Sequence, residues 1–152
     1  MNLLIIGSGA REHAFAWKIF HSNHDVNLFI TNFNPGAIEI AKSLSIDVNN
    51  FSEIKRSIIK HNIKMVLVGP EIPLINGIYD YIKNDIEISD VNVIGPSKRG
   101  AQLEGSKEFA KLFMTRNDIP TAAYKSFNKS SIDDAILFLK NNTPPYVLKA
   151  DG

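Results

Sequence analysis

The chain has 152 residues with 17 Lys and Arg against 16 Asp and Glu, so its formal net charge of +1 supplies no long-range field for a nucleic-acid backbone or an anionic membrane. With 44% hydrophobic residues it can bury a real core, and without cysteine it has no disulfide framework and no thiolate chemistry. No apolar run reaches the length of a membrane span, no basic stretch precedes the short apolar start, and the reading is a cytoplasmic protein.

Apolar runs alternate with amphipathic stretches through the first hundred residues, the pattern of a parallel sheet covered by helices on both faces. The first strand is Leu3 to Ile6. A helix from about Arg11 to Phe20 follows, with Ala14, Trp17 and Phe20 spaced for one buried face, and then a strand from Val26 to Thr31. Beyond Pro35-Gly36, a short helix through Ile38, Ala41 and Leu44 leads to a strand at Ile46-Asp47-Val48. Ser52 to His61 forms the next helix, and Met65 to Val68 is a strand too apolar to face water. Gly69-Pro70-Glu71 breaks it. The helix after Pro73 presents Leu74, Ile78, Tyr81 and Ile82 to the core, and Val91 to Ile94 closes the unit before Gly95-Pro96.

From Ser97 the rhythm changes, which sets a domain boundary near residues 96 to 100, with the first domain taken as 1–98. The remainder reads as a helix from Ser106 to Arg116, an extended Thr121 to Phe127, a helix from Ser131 to Asn141, and a last strand from Tyr146 to Ala150. Such a region is small for a free-standing core, so the chain is expected to be an amino-terminal piece of something longer.

Gly7-Ser8-Gly9-Ala10-Arg11-Glu12-His13 carries a strand through glycines into a helix start, where unpaired amides and the helix dipole favour an anion. A phosphate or phosphoribosyl site, a dinucleotide site and a merely structural turn all remain open. Against the dinucleotide, Glu12 stands where GxGxxG needs its third glycine, and the second strand ends in Thr31-Asn32 instead of an acid for a ribose hydroxyl. In a sheet of order 3-2-1-4 the first and fourth strand tips share one crevice, which puts Glu71 opposite the Gly9 to Arg11 turn. Its carboxylate then either accepts from ribose hydroxyls or an amine, or simply caps the helix behind it.

Lys107, at a helix start, and Lys149, in an apolar strand, each ask for an anionic partner unless their stems carry the charge to water. His21 and His24 lack the acids or cysteines of a metal site, and no nucleophile elbow or Walker-type loop is present. The spacing of Trp17 and the phenylalanines reads as core.

Together, Gly7 to Ala14, Gly69-Pro70-Glu71 with Pro73-Leu74, Gly95-Pro96, Ala101 to Lys107, Ile119 to Ala122 and Leu148-Lys149-Ala150-Asp151-Gly152 resemble the phosphoribosylamine–glycine ligase family of purine biosynthesis, within the ATP-grasp superfamily. The resemblance implies a Rossmann-like doubly wound α/β domain, the pre-ATP-grasp domain, followed from residue 99 by an incomplete ATP-grasp domain. It implies the ATP-dependent ligation of glycine to 5-phosphoribosylamine, giving glycinamide ribonucleotide, ADP and phosphate. Carried over by position, Gly9, Ala10 and Arg11 hold the phosphoribosylamine, Glu71 contacts its ribose or amine, and Lys107 and Lys149 touch ATP.

The Mg2+ or Mn2+ ligands and most of the glycine site are expected beyond Gly152, so the chain alone is not expected to catalyse ligation. The other readings are a different ATP-grasp ligase or carboxylase, a nicotinamide-dependent oxidoreductase, and a module that binds a phosphosugar without turning it over. Two departures from the family pattern stand out: Ala10 where glycine is usual, and Asn32-Phe33 before Asn34-Pro35-Gly36.

Overall fold

The computed structural model describes residues 1–151, which divide into two compact units, Met1–Ala101 and residues 102 onward. The first unit holds five parallel strands in the order β3-β2-β1-β4-β5: β1 Asn2–Ile6, β2 Asn27–Thr31, β3 Lys42–Leu44, β4 Met65–Val68 and β5 Asn92–Ile94. The period-two alternation of the central strands splits their side chains between two cores. Leu4, Ile6, Val66 and Val68 join Ile54, Ile58, Ile78 and Ile82 on one face, while Leu3, Ile5, Leu28 and Ile30 join Ala16, Ala37 and Ala41 on the other. Burial on both faces explains why these strands read as apolar runs.

The helices of this unit are α1 Ala10–Phe20, α2 Phe51–Lys60, α3 Glu71–Asn76 and α4 Ile78–Asn84, and α5 Lys98–Gly105 runs across the division between the units. Asn50 caps α2 by accepting from the Glu53 amide. The single helix expected after Pro73 is two, because Gly77 takes a left-handed φ of 98° that ends α3 before α4 begins.

Three other expectations of the sequence fail here. Residues 38–40 form turns instead of a helix, and the third strand lies at Lys42–Leu44 instead of residues 46–48. The buried side of α1 is Glu12 and Ala16 with Ile19 half-buried, not the stripe of Ala14, Trp17 and Phe20, and Trp17 is 52% exposed. Close approach is the cause: this eleven-residue helix meets the sheet at its small residue, and Ala16 permits a contact that Trp17 would prevent.

The second unit contains α6 Lys107–Arg116 and α7 Ile132–Lys140, the latter preceded by a 3-10 turn at Lys129–Ser131 that Asn128 caps. None of its described residues is fully buried, and its aromatic contact is Phe127 against Phe138, with ring centroids 5.6 Å apart. The expected strand at Tyr146 to Ala150 does not form, since no strand pairs with it among the described residues. Leu148 is 82% exposed.

Candidate functional site

Register builds the site. Ile6 pairs with Val68 across β1 and β4, so the residues that follow them, Gly7 and Gly69, leave the sheet side by side, and the Gly69 amide donates to the Ile6 carbonyl at 3.1 Å. Gly7 has a φ of +105°, a conformation that turns the chain out of the sheet toward α1 and that glycine adopts without steric cost.

Three polar side chains then fix the turn. Thr31, fully buried at the end of β2, accepts from the Gly7 amide through Oγ1 at 2.7 Å. Asn34 donates from Nδ2 to the carbonyls of Ser8 and Gly9 at 2.8 and 3.0 Å, while its Oδ1 accepts from the Gly36 amide. Glu12 Oε2 accepts from the Gly9 amide at 2.6 Å, the acid half of a capping box. Among the described residues no protein acceptor meets the amides of Ala10 and Arg11, the donors that a helix start leaves open.

The structure brings Arg11 and Glu71 together: Arg11 Nη2 lies 3.2 Å from Glu71 Oε2, from the tips of neighbouring strands, with both side chains largely in solvent. Glu71 is held below the ordinary glutamate value, first by the hydrogen bond from its own amide at the start of α3 and next by the Arg11 guanidinium. Gly9 and Ala10 sit exposed at the tip of the turn. Ala10 opens α1 without a positive φ, so alanine fits this position without backbone strain. Asn32 instead carries the left-handed geometry of the second loop at φ 64°, and its amide group pairs with the Ile46 backbone.

In the second unit, the start of α6 is already occupied. Asp151 Oδ1 accepts from the amides of Lys107 and Glu108 at 2.5 and 3.2 Å, Ser106 Oγ donates to Asp151 Oδ2 at 3.0 Å, and the Phe109 amide donates to Ser106 Oγ. The anion that a lysine at a helix start asked for is therefore Asp151, whose carboxyl lies below its ordinary value, chiefly through the Glu108 amide. Lys107 is exposed, and Lys149 is exposed on an unpaired segment, not buried in a strand as its apolar neighbours suggested.

Glu12, Asn34 and Asp151 are the working residues that the sequence reading passed over as a misfit, a loop position and a turn. Only Glu12 carried a signal, as an acid three residues after a helix cap. A concavity of about 550 Å3 in the first unit is lined by Met1, Leu3, Lys18, Ile19 and Val26 among others. It lies at the amino ends of β1 and β2, opposite the carboxyl ends where sheets of this kind bind ligands, and the polar convergence at Gly9 is the better candidate.

The sheet order defines a doubly wound α/β domain, and Arg11 and Glu71 stand at its topological switch point, where sheets of this kind bind ligands. A family profile described as "Phosphoribosylglycinamide synthetase, N domain" matches residues 1–104, and "Phosphoribosylglycinamide synthetase, ATP-grasp (A) domain" matches residues 105–152. The chain belongs to the phosphoribosylglycinamide synthetase family.

Curated relatives named phosphoribosylamine–glycine ligase include one from Caldanaerobacter subterraneus subsp. tengcongensis, 36% identical over 152 residues, and one from Pseudomonas aeruginosa, 40% identical over 154. Each alignment takes in the whole of this chain but only 35% and 34% of the relative, so the chain spans about a third of their length. The crystal structure of phosphoribosylamine–glycine ligase from Thermotoga maritima matches all of this chain and 33% of its own, with a TM-score of 0.68 and 27% identity. N5-carboxyaminoimidazole ribonucleotide synthetase from the same organism shares the fold, at a TM-score of 0.64 and 15% identity over 90% of this chain.

Proposed function

We propose that this chain is the amino-terminal part of an enzyme that ligates glycine to 5-phosphoribosylamine at the expense of ATP, and that its first unit holds the phosphosugar. In the overall reaction ATP phosphorylates the glycine carboxylate, releasing ADP. The amine of phosphoribosylamine then attacks the acyl phosphate, loses a proton and expels phosphate, leaving glycinamide ribonucleotide. The observation that carries the reading is the convergence of Arg11, Glu71 and the open amides of Ala10 and Arg11 on one crevice, with Arg11 and Glu71 3.2 Å apart.

The chemistry divides among them by charge. The amides and the guanidinium suit phosphate oxygens, and the Glu71 carboxylate suits ribose hydroxyls or the amine. Binding thus exchanges the exposed Arg11–Glu71 pair for two ligand contacts. Phosphoribosylamine, glycine and ATP are the partners of this reading, with neither nucleic acid nor membrane, in the cytoplasm. No described helix is long and apolar enough to cross a membrane.

The domain reading that goes with it is a pre-ATP-grasp domain over residues 1–98 and the opening of an ATP-grasp domain from residue 99. Lys107 and Lys149 are assigned to ATP as side-chain cations, because Asp151 already fills the start of α6. The family's use of Mg2+ or Mn2+ is part of the proposal. Among the described residues no three of His, Asp and Glu converge, and no step is routed through a metal.

Titration of the 152-residue chain with ribose 5-phosphate tests the phosphosugar site. Arg11→Ala is expected to weaken binding at least about tenfold, the loss of a charge-assisted contact, and Glu71→Ala to weaken it less. Equal binding by all three proteins rejects the site.

A further inference from the structure

Glu12 is the least expected residue of the crevice. It is 4% exposed; one carboxylate oxygen caps the Gly9 amide, and the other, Oε1, is buried without a hydrogen-bond partner among the described residues. The surrounding backbone makes room for it. A Cβ on Gly69 would stand 2.0 Å from Oε1, and a Cβ on Gly7 would stand 2.8 Å from the carboxylate carbon. Both glycines that leave the paired ends of β1 and β4 thus accommodate this one carboxylate.

A packing role alone does not explain an acid. Glutamine has the same shape and serves equally at this position of a capping box, without the desolvation cost of a buried ion. The charge must act on something near it. Around the turn stand two carboxylates, Glu12 and Glu71, and one guanidinium, Arg11, while the start of α1 adds about half a positive charge. That balance is poor for a ligand that is only a phosphate. It suits a phosphosugar that also carries an amino group, with the phosphate at the amides and the amine on the carboxylate side.

We infer that Glu12 is a specificity-determining residue: its buried, half-partnered carboxylate biases the crevice toward an amine-bearing phosphosugar over the hydroxyl-bearing counterpart. The inference rests on the phosphosugar reading above and adds the discrimination that reading leaves unassigned. Glu12 acts through its field and through the Gly9 amide, not by touching the ligand, because Oε1 is closed off behind Gly69.

Two stable probes separate the possibilities: ribose 5-phosphate C-glycosides bearing an aminomethyl or a hydroxymethyl group at the anomeric carbon, titrated into the 152-residue chain. The wild type is expected to prefer the amine about tenfold, the size of one partly screened charge interaction. Glu12→Gln is expected to cut that preference to about threefold or less, chiefly by weakening the amine ligand, while its thermal midpoint holds or rises as a buried charge is removed.

An unchanged ratio in folded Glu12→Gln overturns the inference and leaves the phosphosugar site standing. If Glu12→Gln does not fold, Glu12→Asp, which keeps the charge but shortens the reach to Gly9, must keep the preference, and its loss there overturns the inference. A wild type that binds neither probe removes the phosphosugar site and this inference with it.

Discussion

The two units each begin a helix behind a small capping residue with a basic side chain in the first turn, Gly9 and Arg11 at α1, Ser106 and Lys107 at α6, yet they leave those helix starts in opposite states. At α1 Glu12 takes the Gly9 amide, and among the described residues no protein acceptor meets the amides of Ala10 and Arg11. At α6 a carboxylate from 43 and 44 residues away, Asp151, takes the first two amides, and Ser106 takes the third. A helix start is an anion site only where the rest of the chain declines to fill it. Burial divides the units in the same way, since the closed two-faced core belongs to the first and no described residue of the second is fully buried.

The largest test of that contrast is a matched pair of truncations. Ile5→Ala removes a fully buried side chain from the centre of the sheet and is expected to cost roughly 3–4 kcal/mol in urea unfolding followed by a probe in the first unit. Leu137→Ala, at a residue 57% exposed in α7, is expected to cost less than about 1 kcal/mol. Equal losses would erase the distinction.

The same contrast governs what was legible in the sequence. Strands β1, β2 and β4 were readable because burial on both faces forces unbroken apolar runs, and the crevice followed from strand order. The side of α1 that packs was not readable. An aromatic stripe and an Ala16 stripe are both periodic, and the choice between them depends on how closely the helix approaches the sheet. The strand expected around Lys149 fails for a related reason: Tyr146 to Ala150 has the composition of a strand, but a strand exists only with a partner. Glu12 reads as a fault in a dinucleotide motif, because the space that Gly7 and Gly69 yield to it arises only when two distant segments meet in the fold.

Gly69→Ala sharpens the description of the open helix start. The new methyl collides with Glu12 Oε1, so either the carboxylate leaves the Gly9 amide or the two strand tips separate. The expected loss is about 2–3 kcal/mol, as for other overpacked sites. Combining it with Glu12→Ala should recover part of that loss, and a double-mutant cycle measures the coupling. Strict additivity would mean that the two residues do not press on each other.

Asp151 provides the corresponding test of the closed start. Its carboxyl lies below the ordinary aspartate value of 3.8, so the contact stabilises the second unit above that value and is lost as pH falls through the lower folded-state value. Amide proton shifts of Lys107 and Glu108 are expected to titrate together with a midpoint below 3.8, and Asp151→Asn is expected to abolish that titration. Amides that ignore the carboxylate would reopen this helix start to an external anion.

The smallest expected effect belongs to the ion pair that marks the candidate site. Arg11 and Glu71 have side chains 64% and 47% exposed, so Arg11→Ala is expected to change stability by less than about 0.5 kcal/mol. It should nevertheless move the Glu71 titration measured by carboxyl NMR upward, toward the ordinary 4.5, without reaching it, because the first cause of the depression is the amide of Glu71 itself. As a depressed acid, Glu71 lends its small stabilisation above that ordinary value and loses it on acidification, and the variant should lose it at slightly higher pH. A pair that costs almost nothing to break can be exchanged for ligand contacts, which is the property a binding crevice requires. A large stability loss on Arg11→Ala would instead make the pair a structural bolt between the strand tips and count against the exchange.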